Sequence, residues 1–250
     1  MPRIITLLTD FGTADGYVGE MKGVLLTGAP EATLVDITHE IPAQDVEAAR
    51  LTLARVWRRF PPGTVHLVVV DPGVGTDRAA LAVASDDRFL VGPDNGVLSP
   101  ALLIAEARVV ALDTPSNASA TFHGRDVFAP AAARLASGAP IETLGSLAMQ
   151  PRIRRTAEPR RTGDGALLGE VISIDRFGNA ITNLVGLRTG TVEAAGLSLP
   201  LRRTYGEAPV GAPVAIVGSS GLIELAVRDG NAARALHLTR GTAVLYRAAP

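Results

Sequence analysis

The stretch Asp71-Pro72-Gly73-Val74-Gly75-Thr76-Asp77-Arg78 follows the apolar run at 65–70 and places two opposite charges where a buried strand should end. Ligands of open α/β sheets gather at such strand ends. The glycines can expose backbone amides, and Asp71 with Arg78 can form a charge-assisted pair that holds or polarises a small substrate. An ordinary strand exit, in which Arg78 neutralises Asp71 or Asp77, accounts for the same residues.

Further turns carry usable side chains. Thr9-Asp10-Phe11-Gly12-Thr13-Ala14-Asp15 sets two carboxylates around a turn, suited to gripping a ribose diol or a cation. Thr13 or Asp15 can alternatively cap the helix that follows, whereas Asp10 has no helix close enough to cap. Neither a Gly-x-Gly-x-x-Gly fingerprint nor a Walker loop is present, so a nucleoside would be recognised without a diphosphate. Gly92-Pro93-Asp94-Asn95-Gly96 reads first as a tight turn. In Phe122-His123-Gly124-Arg125-Asp126 a histidine precedes a glycine at a helix start, where its titration range suits proton transfer. His39, His66 and His237 sit in or beside apolar strands and read as structural. Asp175-Arg176-Phe177-Gly178-Asn179 offers a carboxylate, an aromatic plane and an amide, suited to a base and an amine, and equally a hairpin loop. Gly218-Ser219-Ser220-Gly221 offers amides and hydroxyls for a carboxylate.

The elements needed to position these turns are legible as patterns. Apolar β-rich runs at 4–8, 34–37, 65–70, 81–84 and 109–112 alternate with helical patterns, predicting an α/β N-terminal domain over 1–155 with a mainly parallel sheet. Helices are predicted over 16–27, 44–60, with Trp57 in the core, and 126–136. The arginine-rich stretch 151–164 reads as a boundary. Beyond it, short strands at 169–174, 180–184, 214–217, 222–227 and 243–246 predict a smaller all-β C-terminal barrel domain over 165–250. The 250 residues carry a net charge of -1 and 47% hydrophobic residues, a balance that argues against disorder and against a nucleic-acid partner. With no cysteine, disulfides, thiolate metal sites and a cysteine nucleophile are excluded. The N-terminal apolar run is too short for a signal peptide or membrane span, so the reading is a cytoplasmic protein with no membrane partner.

Taken in chain order, the turns at Asp10, Asp71 to Arg78, Asn95, His123, Asp175 to Asn179 and Ser219-Ser220 resemble the S-adenosyl-L-methionine hydroxide adenosyltransferases, a family related to the fluorinating and chlorinating enzymes. The resemblance runs over 4–246 and implies a homotrimer with sites at subunit interfaces. It implies that Asp10 binds the ribose diol, with Asp15, Asn95 and Phe122 as further substrate contacts, and that Asp71, Arg78 and His123 activate water. Asp175 would meet the methionine ammonium, Phe177 and Asn179 would flank adenine, and Ser219 with Ser220 would take the carboxylate. The implied reaction is hydrolysis of S-adenosyl-L-methionine to adenosine and L-methionine. Where the fluorinating enzymes carry a Tyr and a halide-contacting Ser, this chain has Asp71 and Gly124, and the turn at 85–88 lacks their insertion. A chloride-using transferase and a non-catalytic adenosine-binding module remain as alternatives. No cofactor is expected, since S-adenosyl-L-methionine is the substrate, and no metal, since no His-Glu-x-x-His type spacing occurs.

Overall fold

Period-two alternation in the N-terminal strands decides which way each side chain faces. In β1 (Ile4–Thr9) and β3 (Val65–Val69), Ile5, Leu7, Val65, Leu67 and Val69 enter one apolar cluster, while Leu8 and Val68 enter another on the opposite face. The computed structural model describes residues 4–185 and 189–249. The chain forms two units, Met1–Arg155 and Thr156–Pro250.

The first unit holds a seven-stranded sheet completed by β2 (Thr33–Thr38), β4 (Ala80–Ser85), β5 (Arg88–Pro93), β6 (Arg108–Leu112) and β7 (Gly145–Leu147), in the order β2-β1-β3-β5-β4-β6-β7. Four neighbouring strands, β2, β1, β3 and β5, run parallel. The remaining pairings, β5 with β4, β4 with β6 and β6 with β7, are antiparallel. The sheet is therefore mixed and not mainly parallel. The two-residue turn Asp86-Asp87, both at positive φ (50° and 56°), folds β4 and β5 into a hairpin, so that β4 runs against both of its neighbours, β5 and β6. The turn at 85–88 is legible in the sequence, but its residues do not say which neighbours the two strands pair with.

Helix α1 (Tyr17–Gly28) buries Met21 and Leu25 on one face of the sheet beside α4 (Ala129–Ala136). Helix α2 (Val46–Val56) buries Val46, Ala49 and Leu53 on the other, together with the short α3 (Ser99–Leu102). The expected helix at 44–60 is shorter at both ends. Asp45 caps it by accepting the Ala48 amide at 2.9 Å, and a 3-10 turn at Trp57–Arg59 closes it, with Trp57 in the core. The third expected helix is α4, preceded by a π-helical turn, Gly124–Phe128.

In the second unit, β9 (Leu167–Ile174), β10 (Ala180–Val185), β14 (Leu222–Val227), β13 (Pro213–Val217), β12 (Leu197–Arg202), β11 (Gly190–Ala194) and β15 (Ala243–Ala248) close into a seven-stranded barrel. The two-residue β8 (Arg160–Arg161) adds to β9 from outside, and α5 (Ala232–Ala235) packs against β14. The interior is filled by Val171, Ala180, Leu184, Val192, Ala215, Ile223, Leu225, Val244 and Tyr246. Strands β11 and β12 were not anticipated from the sequence. Glu193, Ser198 and Pro200 dilute their apolar pattern, and only alternate residues face the core.

Candidate active site

The four parallel strands end on one edge of their sheet, and that edge collects the polar turns. Thr9 of β1 pairs with Val69 of β3, so Asp10 and Asp71 leave neighbouring carboxyl ends. Asn95 leaves β5 beside them and donates its Nδ2 to the carbonyl of Val70 at 2.8 Å. The Asn95 Oδ1 accepts the Val97 amide at 3.1 Å, so both polar atoms of this side chain brace the turn.

Asp71 continues the alternation of β3 by two residues past Val69, which aims it at the face where α4 and Phe128 pack. Arg78 meets it there as a two-pronged partner, Nε to Oδ1 at 3.1 Å and Nη2 to Oδ2 at 2.5 Å, with both side chains 5% exposed. The guanidinium lies 5.3 Å above the Phe128 ring, and its Nη1 donates to the Ala79 carbonyl at 2.9 Å. Its Nη2 is also 3.2 Å from His123 Nδ1, so Asp71, Arg78 and His123 form one contiguous set. Burial pushes the Asp71 carboxyl above its ordinary value, and the charge and hydrogen bonds of Arg78 oppose that shift. Gly75 makes the loop possible. Its φ is +77°, and a Cβ there would stand 2.4 Å from the carbonyl oxygen of Ala120.

His123 is joined to the Asp10 turn by aromatic contacts. Phe122 packs edge-on against Phe11 and Tyr17, with ring centroids 5.9 and 5.3 Å apart. Gly124 fits beneath them, where a Cβ would come within 3.2 Å of both Met21 Sδ and the Phe122 ring. Asp10 accepts the Gln44 amide through Oδ2 at 2.7 Å, and Gln44 adopts φ 65° to present it. Asp15 is exposed, and the α1 N-cap is Gly16 with no side-chain capping bond, so neither Thr13 nor Asp15 caps that helix.

In the barrel, the β9–β10 hairpin carries the Asp175 turn. Asp175 Oδ1 accepts the amides of Phe177 and Asn179 at 2.9 and 2.8 Å, and Oδ2 accepts Asn179 Nδ2 at 2.9 Å. The carboxylate thus organises its own loop, with Phe177 left 75% exposed at the tip. Ser219 and Ser220 are exposed in the β13–β14 turn, which Gly221 closes by donating to the Gly218 carbonyl at 3.0 Å. A Cβ at Gly218 would fall on the Glu224 carboxyl, so a side chain there would have to displace that group. Glu224 is buried and accepts the Tyr205 hydroxyl at 3.1 Å. Burial, then Glu224 and Asp175, push the Tyr205 phenol up to about 12, so it stays a donor. Tyr205, Glu224 and Gln44 were missed in the sequence. They stand outside the glycine-marked turns, although Pro42 two residues before Gln44 hinted at a turn. Among the described residues no three His, Asp or Glu side chains gather as a metal-binding group.

The unit-1 residues bring a carboxylate, an imidazole and a fixed cation to a strand end, with a second carboxylate one strand away. That arrangement can orient a water molecule and take its proton beside a group held through hydroxyls. Comparison with known proteins agrees in extent. Residues 5–145 match the family model of the SAM hydroxide adenosyltransferase N-terminal domain, and residues 169–245 match that of the C-terminal domain. The (R)-S-adenosyl-L-methionine hydrolase of Thermus thermophilus is 44% identical over 97% of this chain and 98% of its own. A crystal structure of an uncharacterized conserved protein from Thermotoga maritima superposes with a TM-score of 0.88 at 34% identity, covering 97% of this chain and 99% of that one. A fluorinase of Nocardia brasiliensis is more distant, 29% identical over 96% of this chain and 95% of its own.

Proposed function

Because the chain belongs to the SAM hydroxide adenosyltransferase family, we infer that it hydrolyses S-adenosyl-L-methionine to adenosine and L-methionine. Water attacks C5′ of the ribose, the C5′–S bond breaks, and its electron pair returns to sulfur as the neutral thioether of methionine. One proton is released from the water. The leaving group needs no acid, so the catalytic demand falls on the nucleophile and its alignment. The observation that carries this reading is the buried contact set of Asp71, Arg78 and His123 at the end of β3. Asp71 takes the proton of the attacking water, His123, whose Nδ1 meets Arg78, orients that water through its other ring nitrogen, and Arg78 supplies fixed positive charge for the developing hydroxide.

Asp10 takes the ribose diol, with Asp15, Asn95 and Phe122 contributing around it. The barrel turns take the remainder: Phe177 and Asn179 for adenine, Asp175 for the ammonium, and Ser219 with Ser220 for the carboxylate. The assembly is a homotrimer whose sites combine the first unit of one subunit with the second unit of the next. No cofactor takes part. Among the described residues no helix is long and apolar enough to cross a membrane, and the cysteine-free composition suits the reducing cytoplasm. Incubation in ¹⁸O-water with S-adenosyl-L-methionine tests the reaction. Label at the 5′-hydroxyl of adenosine is expected, and 5′-chloro-5′-deoxyadenosine as main product in chloride would reassign the nucleophile.

A further inference from the structure

His39 is 4% exposed and grips the Asp10 turn at both ends. Its Nδ1 lies 2.9 Å from the Thr9 hydroxyl, and its own carbonyl accepts the Gly12 amide at 2.8 Å. Asp10 is suspended between these anchors. Thr9 Oγ1 also accepts the Phe11 amide at 3.3 Å, so one buried hydroxyl links the imidazole to the backbone just past Asp10. On its other side the ring faces Asp36, with Nε2 3.1 Å from Oδ1, a charge contact set off the line of a formed hydrogen bond. Asp36 Oδ2 is held in turn by Lys22 Nζ at 2.7 Å.

These contacts set the tautomer. A carboxylate only accepts, so a proton on Nε2 faces Asp36 and leaves Nδ1 as an acceptor. The Thr9 hydroxyl then donates to His39 while accepting from Phe11. Each polar group at the back of the turn has a defined role, and the front carboxylate of Asp10 is aimed by what lies behind it.

We propose that His39, acting through Thr9, is the positioning residue that fixes Asp10 for recognition of the ribose diol. The proposal rests on the reading of Asp10 as the diol ligand. Two vicinal hydroxyls must be met by one carboxylate, so a small displacement of the turn weakens binding in ground and transition state alike, and KM rises more than kcat falls. His39 touches none of the reacting atoms.

The test couples a change in the protein to a change in the ligand. Dissociation constants for adenosine and 2′-deoxyadenosine are measured by calorimetry on the full chain and on His39→Ala, Thr9→Val and Thr9→Ser, alongside KM and kcat for S-adenosyl-L-methionine. The unaltered protein should prefer adenosine by about tenfold or more. His39→Ala and Thr9→Val should lose most of that preference and raise KM by about 5- to 20-fold. Thr9→Ser, which keeps the hydroxyl, should retain the preference. Full preference in both His39→Ala and Thr9→Val overturns the positioning role while leaving Asp10 as the diol ligand. If His39→Ala does not fold, the near-isosteric pair Thr9→Val and Thr9→Ser decides alone. No preference in the unaltered protein would instead remove the diol reading of Asp10, and the proposal with it.

Discussion

Asp71 and Arg78 form an ion pair with both side chains 5% exposed, an arrangement that costs desolvation and is tolerated only where further bonds complete it. Arg78 meets that condition by spending separate N–H groups on the two Asp71 oxygens, on Ala79 and toward His123. A lysine has a point charge and no fork, so Arg78→Lys should lower kcat nearly as far as Arg78→Ala, measured by adenosine formation under saturating substrate. Asp71→Asn keeps the shape and removes the charge. It should reduce kcat by about 10²- to 10³-fold while adenosine binds within about threefold of normal, because the proposed partner of Asp71 is water and not the nucleoside. Groups acting as one unit do not multiply their losses, so Asp71→Asn with His123→Ala should cost little more than the worse single change. Multiplicative losses with weakened adenosine binding would make the pair a brace for the turn and nothing more.

What these residues do depends on elements that bring them into register. The loop at 71–78 lies against Ala120 through Gly75, and the chain beyond Ala120 leads directly to His123. Gly75→Ala meets both a positive φ and a backbone oxygen, and should cost about 1–3 kcal/mol of stability while separating Arg78 from His123, seen as a joint fall in melting temperature and kcat. Beneath the site, His66 of β3 lies in the core at 0% exposure with Nδ1 2.8 Å from the Thr6 hydroxyl of β1. Burial, and then the charge of Arg88, lower its pKa from 6.5 to about 4. The folded protein thus keeps His66 neutral where the unfolded chain already binds a proton, so stability is full above pH 6.5 and is lost as the pH falls toward 4. His66→Asn should remove about 2 kcal/mol of the stability difference between pH 7 and pH 5, read from urea titrations at each pH. This level of organisation is where the sequence was least legible. The strands of β1 and β3 were visible because nearly every residue is apolar, and the Asp10 and Asp71 turns because glycine and proline mark strand exits. The turn at 85–88 does not say which strands its two arms pair with, so the reversed directions of β4, inserted between β5 and β6, and of the edge strand β7 were misread. The anchoring of Asp10 by His39 and Gln44 joins residues about thirty apart, a relation that spacing along the chain does not encode.

At the scale of the molecule, the ligand groups are divided. The first unit carries Asp10 and the Asp71, Arg78, His123 set, and the barrel carries the Asp175 and Ser219-Ser220 turns, to which the diol and water on one side and adenine and the amino acid on the other are assigned by proposal. Both halves were legible as separate patterns, since a change from mixed helix and strand periodicity to short strands marks the boundary near the arginine-rich stretch. Assembly is not legible in this way, because sequence periodicity reports burial within a unit and is silent on what lies between units. In a cyclic trimer every interface is heterologous, so a site that draws its two sides from adjacent subunits can be rebuilt from differently damaged chains. Asp10→Ala disables one side, and Ser219→Ala with Ser220→Ala disables the other without touching the hydrogen bonds of the Asp175 loop. Mixed in equal amounts after reversible dissociation, the two variants should regain about one quarter of the native activity, since a random ring pairs an intact first unit with an intact second unit at one junction in four. Sedimentation should show a trimer before and after mixing. Sites drawn from a single chain would stay inactive in every mixture, because each chain then carries its own defect into its own site, and an absence of recovery with intact trimers would assign the site to one subunit.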